Sequence, residues 1–137
     1  MNQAAGDFYC GMNGPDAVAG VRPRCIERYW KIIARLDELM LERSSAPLYT
    51  DDLAHRIGVS PRTLQTAVSA VVGLSLHRYI RLMRLWSAHR HLQSGSRSVK
   101  HAALGNGFAH MGDFARLYKH VFGENPSQTF ETRTTYR

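Results

Sequence analysis

One arrangement of residues occurs twice in this chain, and the duplication limits the fold more than any other feature. Residues 54–73 carry Ala54, Gly58-Val59, Leu64, Val68 and Gly73, and residues 103–123 carry Ala103, Gly107-Phe108, Phe114, Tyr118 and Gly123. In both copies the first glycine follows the alanine at i+4, and the two large apolar positions after it are again an i, i+4 pair. A small residue lets two helices approach closely, and a glycine supplies the positive φ of a turn. An i, i+4 apolar pair then buries one face of the second helix. This is the pattern of a helix-turn-helix. Other αα-hairpins share a single copy, but two copies 49 residues apart, from Gly58 to Gly107, specify two such lobes.

Local signals place the other elements, all of them helical. Residues 1–23 are rich in Gly, Ala, Asn and Pro without a period and read as a loose tail or linker. Ile26, Trp30, Ile33, Leu36 and Met40 recur at helical spacing, so 24–43 is an amphipathic helix covering the first lobe, broken by Ser44-Ser45-Ala46-Pro47. Thr50 is expected to cap a short helix with Asp51 and Asp52 in its first turn, where the dipole favours acids. Gly58 ends that helix. Ser60 caps the next, Pro61 sits in its first turn, and it runs to about Val72 before Gly73.

Residues 75–93 form a long helix with Ile80, Met83, Ala88 and Leu92 on its buried side, closed by Ser94-Gly95-Ser96. Trp86 falls off that side and is expected against the 24–43 helix, with contact to a partner protein or a second copy as the alternative. Ser98 caps a helix over 99–105, 111–122 is the second recognition-type helix, and Asn125-Pro126-Ser127 opens a last one holding Phe130. No run alternates with period two, so no sheet is expected. The fold class is therefore all-α, with two helix-turn-helix lobes joined by a long central helix. The divisions are a tail at 1–23, a first lobe at 24–74, a connecting helix at 75–95 and a second lobe at 96–133. Nineteen helical residues rise about 28 Å, near the roughly 34 Å between successive major-groove faces of DNA.

Charge points the same way. The chain holds 18 lysines and arginines against 11 acids, for a net +7. Through residue 75 the two signs balance. Residues 76–137 carry ten bases (Arg78, Arg81, Arg84, Arg90, Arg97, Lys100, Arg116, Lys119, Arg133, Arg137) against Asp113, Glu124 and Glu131, so the whole excess lies there. A polyanion-binding surface requires such a concentration.

Other classes find no support. Among the seven histidines the close pair is His89-x-His91, and residues two apart on a helix face different ways. There is no H-E-x-x-H, no Cys/His set and no nucleophile–base arrangement, so no metal, cofactor or enzymatic activity is expected. Cys10 and Cys25 lack CxxC spacing and no signal peptide precedes them, which reads as a reducing cytoplasm. No stretch reaches the ~20 apolar residues needed to cross a bilayer.

The block from Leu48 to Arg133 resembles the DNA-binding domain of AraC/XylS-type bacterial transcription regulators. The residues that carry the likeness in the first lobe are Asp52-Leu53-Ala54, Gly58 through Gln65, Gly73, Tyr79-Ile80, Arg84-Leu85, Ala88 and Leu92. In the second they are Val99, Ala103, Gly107-Phe108, Phe114, Arg116, Phe122-Gly123 and Pro126-Ser127. The stretch His110 to Ala115, with Tyr118 and Gly123-Glu124, is similar to the subgroup containing the ethanolamine-operon regulator. The resemblance implies a sequence-specific regulator of transcription initiation whose helices 61–72 and 111–122 enter successive major grooves. Double-stranded DNA is the implied partner, with RNA polymerase and an N-terminal effector domain as further ones. The chain has no room for that domain and reads as a free-standing two-lobe regulator or the C-terminal part of a longer one.

On this reading Arg62, Gln65 and Thr66 contact bases from the first lobe, and Met111, Gly112, Asp113 and Arg116 from the second. Ser60, Arg84, His110 and Lys119 contact phosphate. Arg reads guanine and Gln reads adenine bidentately. Two departures from the family matter. Thr66 to Val72 carries no charge where relatives carry bases, and Met111-Gly112-Asp113 offers no good donor to phosphate. The uncharged stretch sustains an alternative in which a degenerate relative keeps the fold and acts as a protein-interaction module.

Overall fold

A computed structural model describes residues 23–42 and 49–135, and seven helices with no strand make up its regular structure among them. They are α1 (Pro23–Glu42), α2 (Thr50–Ile57), α3 (Pro61–Val72), α4 (Leu76–Ser94), α5 (Val99–Gly105), α6 (Met111–Phe122) and α7 (Pro126–Thr135). Pro23 is the first residue of α1, while the expected tail at 1–22, the break at 44–47 and Arg137 lie outside the described residues. None of the described helices is long and apolar enough to cross a membrane.

Helix starts follow their local chemistry. Ser60 Oγ accepts the Thr63 N–H at 3.1 Å ahead of Pro61, and Ser98 Oγ accepts the His101 N–H at 3.0 Å. Before α7 the Gln128 side chain accepts the Asn125 N–H at 2.7 Å, one half of a capping box. Thr50 is a correction. It is the first helical residue of α2, and Tyr49 occupies the cap position without a side-chain bond. Asp51 and Asp52 in the first turn supply charge to the dipole there instead of a hydroxyl cap.

Each sequence repeat becomes the same backbone bond. Gly58 and Gly107 both take φ of +84°, and the residue after each donates back to the repeated alanine. Val59 N–H reaches Ala54 C=O at 3.0 Å, and Phe108 N–H reaches Ala103 C=O at 3.0 Å. This is the longer bond of a Schellman ending, which satisfies a helix carbonyl while turning the chain.

The described chain packs as two compact units, one of residues 23–41 with 49–80 and one of residue 42 with 81–135, so that the division falls inside α4. In the first, Ile33 and Leu36 of α1, Leu53 and Ala54 of α2, Leu64, Ala67 and Val68 of α3, and Tyr79 of α4 are buried. Tyr79 Oη also donates to Asp37 Oδ1 at 2.6 Å, fastening α4 to α1. In the second, Leu85, Ala88 and Leu92 of α4 join Ala102, Ala103, Phe108, Phe114 and Tyr118 in one core.

The buried side of α4 differs from the single stripe expected of it. Ala88 and Leu92 are fully buried, but Ile80 and Met83 are half-buried, and Leu76, Tyr79 and Leu85 are the other buried residues. At about 100° per residue Leu76 and Tyr79 form one stripe, and Leu85, Ala88 and Leu92 form another about half a turn round. The helix carries two short stripes, one per unit.

The second unit is tied by polar groups as well. Arg133 Nη1 donates to the carbonyls of Leu92 (3.4 Å) and Ser96 (3.2 Å), where α4 runs out of internal partners. Asn106, fully buried in the turn, donates from Nδ2 to Ala102 C=O at 2.7 Å and lies 2.9 Å from His91 Nδ1. Trp86 meets the rings of His89 and Phe122 at 5.5 and 5.1 Å.

The two turn glycines differ in their surroundings. A Cβ at Gly58 would meet nothing within 4 Å, whereas one at Gly107 would run into Arg84 Nη1. Gly58→Ala should cost about 1–2 kcal/mol, the penalty of the left-handed region for an L-residue. Gly107→Ala should cost more because it also displaces Arg84, and Arg84→Met should narrow the gap between the two. Urea denaturation of Gly58→Ala, Gly107→Ala, Arg84→Met and the double variant Gly107→Ala/Arg84→Met measures this.

Candidate nucleic-acid interface

Burial on one side of α3 decides what its other side presents. Leu64, Ala67, Val68, Val71 and Val72 face the core. Arg62, Gln65 and Thr66 are exposed at i, i+3 and i+4, on one outer face of the helix. None of the three has a side-chain hydrogen bond or ion pair among the described residues, so donors and acceptors there are available. Ser60 differs from its neighbours. Its hydroxyl serves the Thr63 N–H and lies 2.8 Å from Thr63 Oγ1, so its first task is to fix the start of the helix.

On α6, Phe114 and Tyr118 are the fully buried pair expected from the repeat. Gly112, Asp113, Arg116 and Lys119 are exposed along one stripe. Asp113 and Arg116 have no ion-pair partner among the described residues, and a Cβ at Gly112 would meet open space. Met111 is half-buried and packs on the core of the second unit, leaving only part of its thioether to a ligand. His110 is exposed at the N-cap position and makes no capping bond.

Arg84 stands apart from the other sequence-derived phosphate contacts. It is half-buried with its guanidinium over Gly107, and burial lowers its pKa from the ordinary arginine value. Arg78, Arg81, Arg90, Arg97, Lys100, Arg116 and Lys119 are the exposed bases of 76–135. Arg133, counted with them from sequence, is half-buried and spends its guanidinium on the end of α4. In the first unit, by contrast, Lys31 pairs with Glu27 (3.3 Å), Arg35 with Glu38 (2.8 Å) and Arg56 with Asp52 (3.4 Å). Seven exposed bases thus lie on α4 and the second unit, while the first unit outside α4 adds Arg24, Arg28 and Arg62 as exposed bases beside its three ion pairs.

Sequence reasoning missed His89, Asn106 and Arg133 as structural groups. Only Asn106 left a local trace, as the residue before a turn glycine. The other two act on partners 29 and 37 to 41 residues away, Tyr118 for His89 and the end of α4 for Arg133.

Stability and recognition should separate cleanly on α3. Ser60→Ala removes a cap and should cost about 1 kcal/mol. Arg62→Ala and Gln65→Ala touch an exposed face and should stay within about 0.5 kcal/mol of the parent. Chemical denaturation of the three variants gives the comparison.

Residues 53–132 match the helix-turn-helix domain family. The probable thc operon regulatory protein of Rhodococcus erythropolis is 34% identical over 104 residues, covering 73% of this chain and 31% of that protein. The XylDLEGF operon transcriptional activator 2 of Pseudomonas putida is 33% identical over 98 residues, covering 69% of this chain and 62% of that one. This chain thus spans about a third to three-fifths of these relatives' length. A solved transcriptional regulator from Chromobacterium violaceum, described as AraC-type, superposes with a TM-score of 0.71 at 28% identity, covering 78% of this chain and 96% of the other. Two glycine-turned lobes, a basic second unit and relatives of a single kind lead to one conclusion: the chain belongs to the AraC-type family of helix-turn-helix transcription regulators, of which it carries the DNA-binding domain.

Proposed function

We propose that the chain is a sequence-specific regulator of transcription initiation that reads DNA by inserting α3 and α6 into successive segments of the major groove. The observation that carries this is the outer face of α3. Arg62, Gln65 and Thr66 are exposed and free of internal partners, on a helix whose start is fixed by Ser60 and Pro61. Arg62 pairs with guanine and Gln65 with adenine, each through two hydrogen bonds. Arg116 and the small face at Gly112 serve the second segment, and Asp113 accepts from a cytosine amino group. Lys119, His110 and the exposed arginines of α4 hold phosphates, which fix position and carry no sequence information. Both reading heads belong to one chain, so a site without two-fold symmetry suffices.

The activator description of the Pseudomonas relative supports RNA polymerase as a second partner. An N-terminal effector domain is the corresponding proposal for the part of the relatives that this chain does not span.

The test is selection of bound duplexes from a random library, repeated with variants. Arg62→Ala and Gln65→Ala should each lose about 1–3 kcal/mol at a single preferred base and little on random DNA. Lys119→Ala should weaken all duplexes alike and flatten the log–log salt slope by about one unit. Asp113→Asn removes a charge that repels phosphate and should leave binding to random DNA equal or tighter. If the Arg62 and Gln65 variants kept their preferences at uniformly lower affinity, the first lobe would not be the reader. If no duplex were specifically retained, the protein-interaction reading would replace this one.

A further inference from the structure

The second unit contains a hydrogen-bonded chain that reading DNA does not require. His89 Nδ1 lies 2.5 Å from Tyr118 Oη, Tyr118 Oη donates to Thr129 Oγ1 at 2.8 Å, and Thr129 Oγ1 donates to Glu124 Oε1. The direction is fixed by chemistry. A carboxylate only accepts, so the Thr129 proton goes to Glu124 and the Tyr118 proton to Thr129. Tyr118 has no proton left for His89, so His89 Nδ1 is the donor. The neutral ring then carries its hydrogen on Nδ1, and Nε2 is the atom that takes up a proton.

The chain joins α4 (His89), α6 (Tyr118), the turn after α6 (Glu124) and α7 (Thr129). The same imidazole stacks on Phe122 of α6, centroids 4.1 Å apart and planes within 13°. Two of the inward side chains of α6, Tyr118 and Phe122, therefore rest on one histidine. Arg116 and Lys119, the exposed bases of α6, lie on the same 12-residue helix.

We propose that His89 is a positioning residue for DNA recognition: through Tyr118 and Phe122 it sets the seat of α6, and its protonation loosens that seat and weakens the hold of the second lobe on its preferred site. The proposal rests on the reading of α6 as a DNA-contacting helix. An imidazolium there keeps its Nδ1–H bond to Tyr118 and the attraction of the Phe122 and Trp86 ring faces, but burial among them costs it more in lost hydration, which it regains by moving off the rings. Such a movement displaces α6.

The groups facing the ring are Trp86 from its own helix, Tyr118 and Phe122 from α6 and, through Tyr118, Thr129 of α7 with Glu124 beside it. Glu124 is the charged member of the set. Burial lowers the His89 pKa from the ordinary imidazole value, and Glu124 opposes that effect. Tyr118 is raised, chiefly by burial, and so keeps its proton throughout. A depressed histidine in the folded state leaves stability untouched above the ordinary imidazole range, about pH 6.5. Stability then falls as pH drops through that range toward the folded value.

The experiment compares parent and His89→Gln between about pH 7.5 and 5.5, a range that brackets imidazole titration. Affinity is measured for the selected duplex and for a random duplex of equal length. Glutamine cannot take up a proton, and His89→Asn, whose amide nitrogen matches the Nδ1 position and can donate to Tyr118, is measured beside it. The parent should lose several-fold more affinity for the selected duplex than for the random one, and both variants should hold the ratio constant. Identical profiles for parent and variants would overturn the proposal.

A second readout needs no DNA. In the NMR titration of the free chain, amide signals of α6 should move with the His89 midpoint, and Tyr118→Phe should shrink those movements. Signals of α6 that ignored the His89 midpoint would overturn the proposal whether or not DNA is bound. Failure to retain any selected duplex at any pH would instead remove the DNA reading and the positioning role with it, and the α6 signals tell the two failures apart.

Discussion

The outward face of each lobe depends on a backbone reversal at one glycine. Positive φ at Gly58 and Gly107 lets Val59 and Phe108 donate back to Ala54 and Ala103, which ends one helix and aims the next. Once α3 and α6 are aimed, their buried pairs determine their rotation: Leu64 with Val68, and Phe114 with Tyr118. Rotation in turn determines which side chains remain outside. A non-glycine residue at either turn would have to enter a region that L-residues disfavour, so the exposed chemistry of both lobes rests on these two positions.

The lobes resolve a common problem differently. A helix start needs electron-rich groups near its free N–H groups, and a DNA-facing helix start should carry little negative charge. In α3 the Ser60 hydroxyl supplies the cap without charge, leaving Arg62 next to it free of any acid. In α6 the His110 side chain does not cap, and Asp113 in the first turn provides negative charge for the dipole. On the proposed DNA-facing side of α6, the same carboxylate would repel phosphate. One lobe reconciles folding with polyanion binding, and the other holds the two demands in tension.

Legibility in the sequence followed the range of the interaction. Ser60, Ser98, Pro61 and the turn glycines act on residues within one helical turn, and their spacing alone placed α3, α5 and α6. Thr50 misled because hydroxyl and acids compete for the same role at a helix start, and the acids of Asp51 and Asp52 lie inside the first turn. The buried residues of α4 were only partly legible because a single stripe is the usual reading of periodicity. Leu76 and Tyr79 answer to one core, and Leu85, Ala88 and Leu92 to another. The bonds of His89, Arg133 and Asp37 join residues far apart in sequence, and no local pattern encodes such pairs. The outward residues of α3 and α6 could be read because they are what burial leaves over.

The turn of the second lobe also has a chemical lifetime. Asn106 precedes Gly107, and glycine's unhindered nitrogen attacks a neighbouring asparagine amide more readily than any other residue's, closing a succinimide with loss of ammonia. In the folded lobe both partners are restrained. The Asn106 amide is fully buried and donates to Ala102 C=O, while the Gly107 N–H is committed to Leu104 C=O at 3.1 Å. The same hydrogen bonds that shape the turn thus hold the two reacting groups in place, and opening of the second lobe would release both to the reaction.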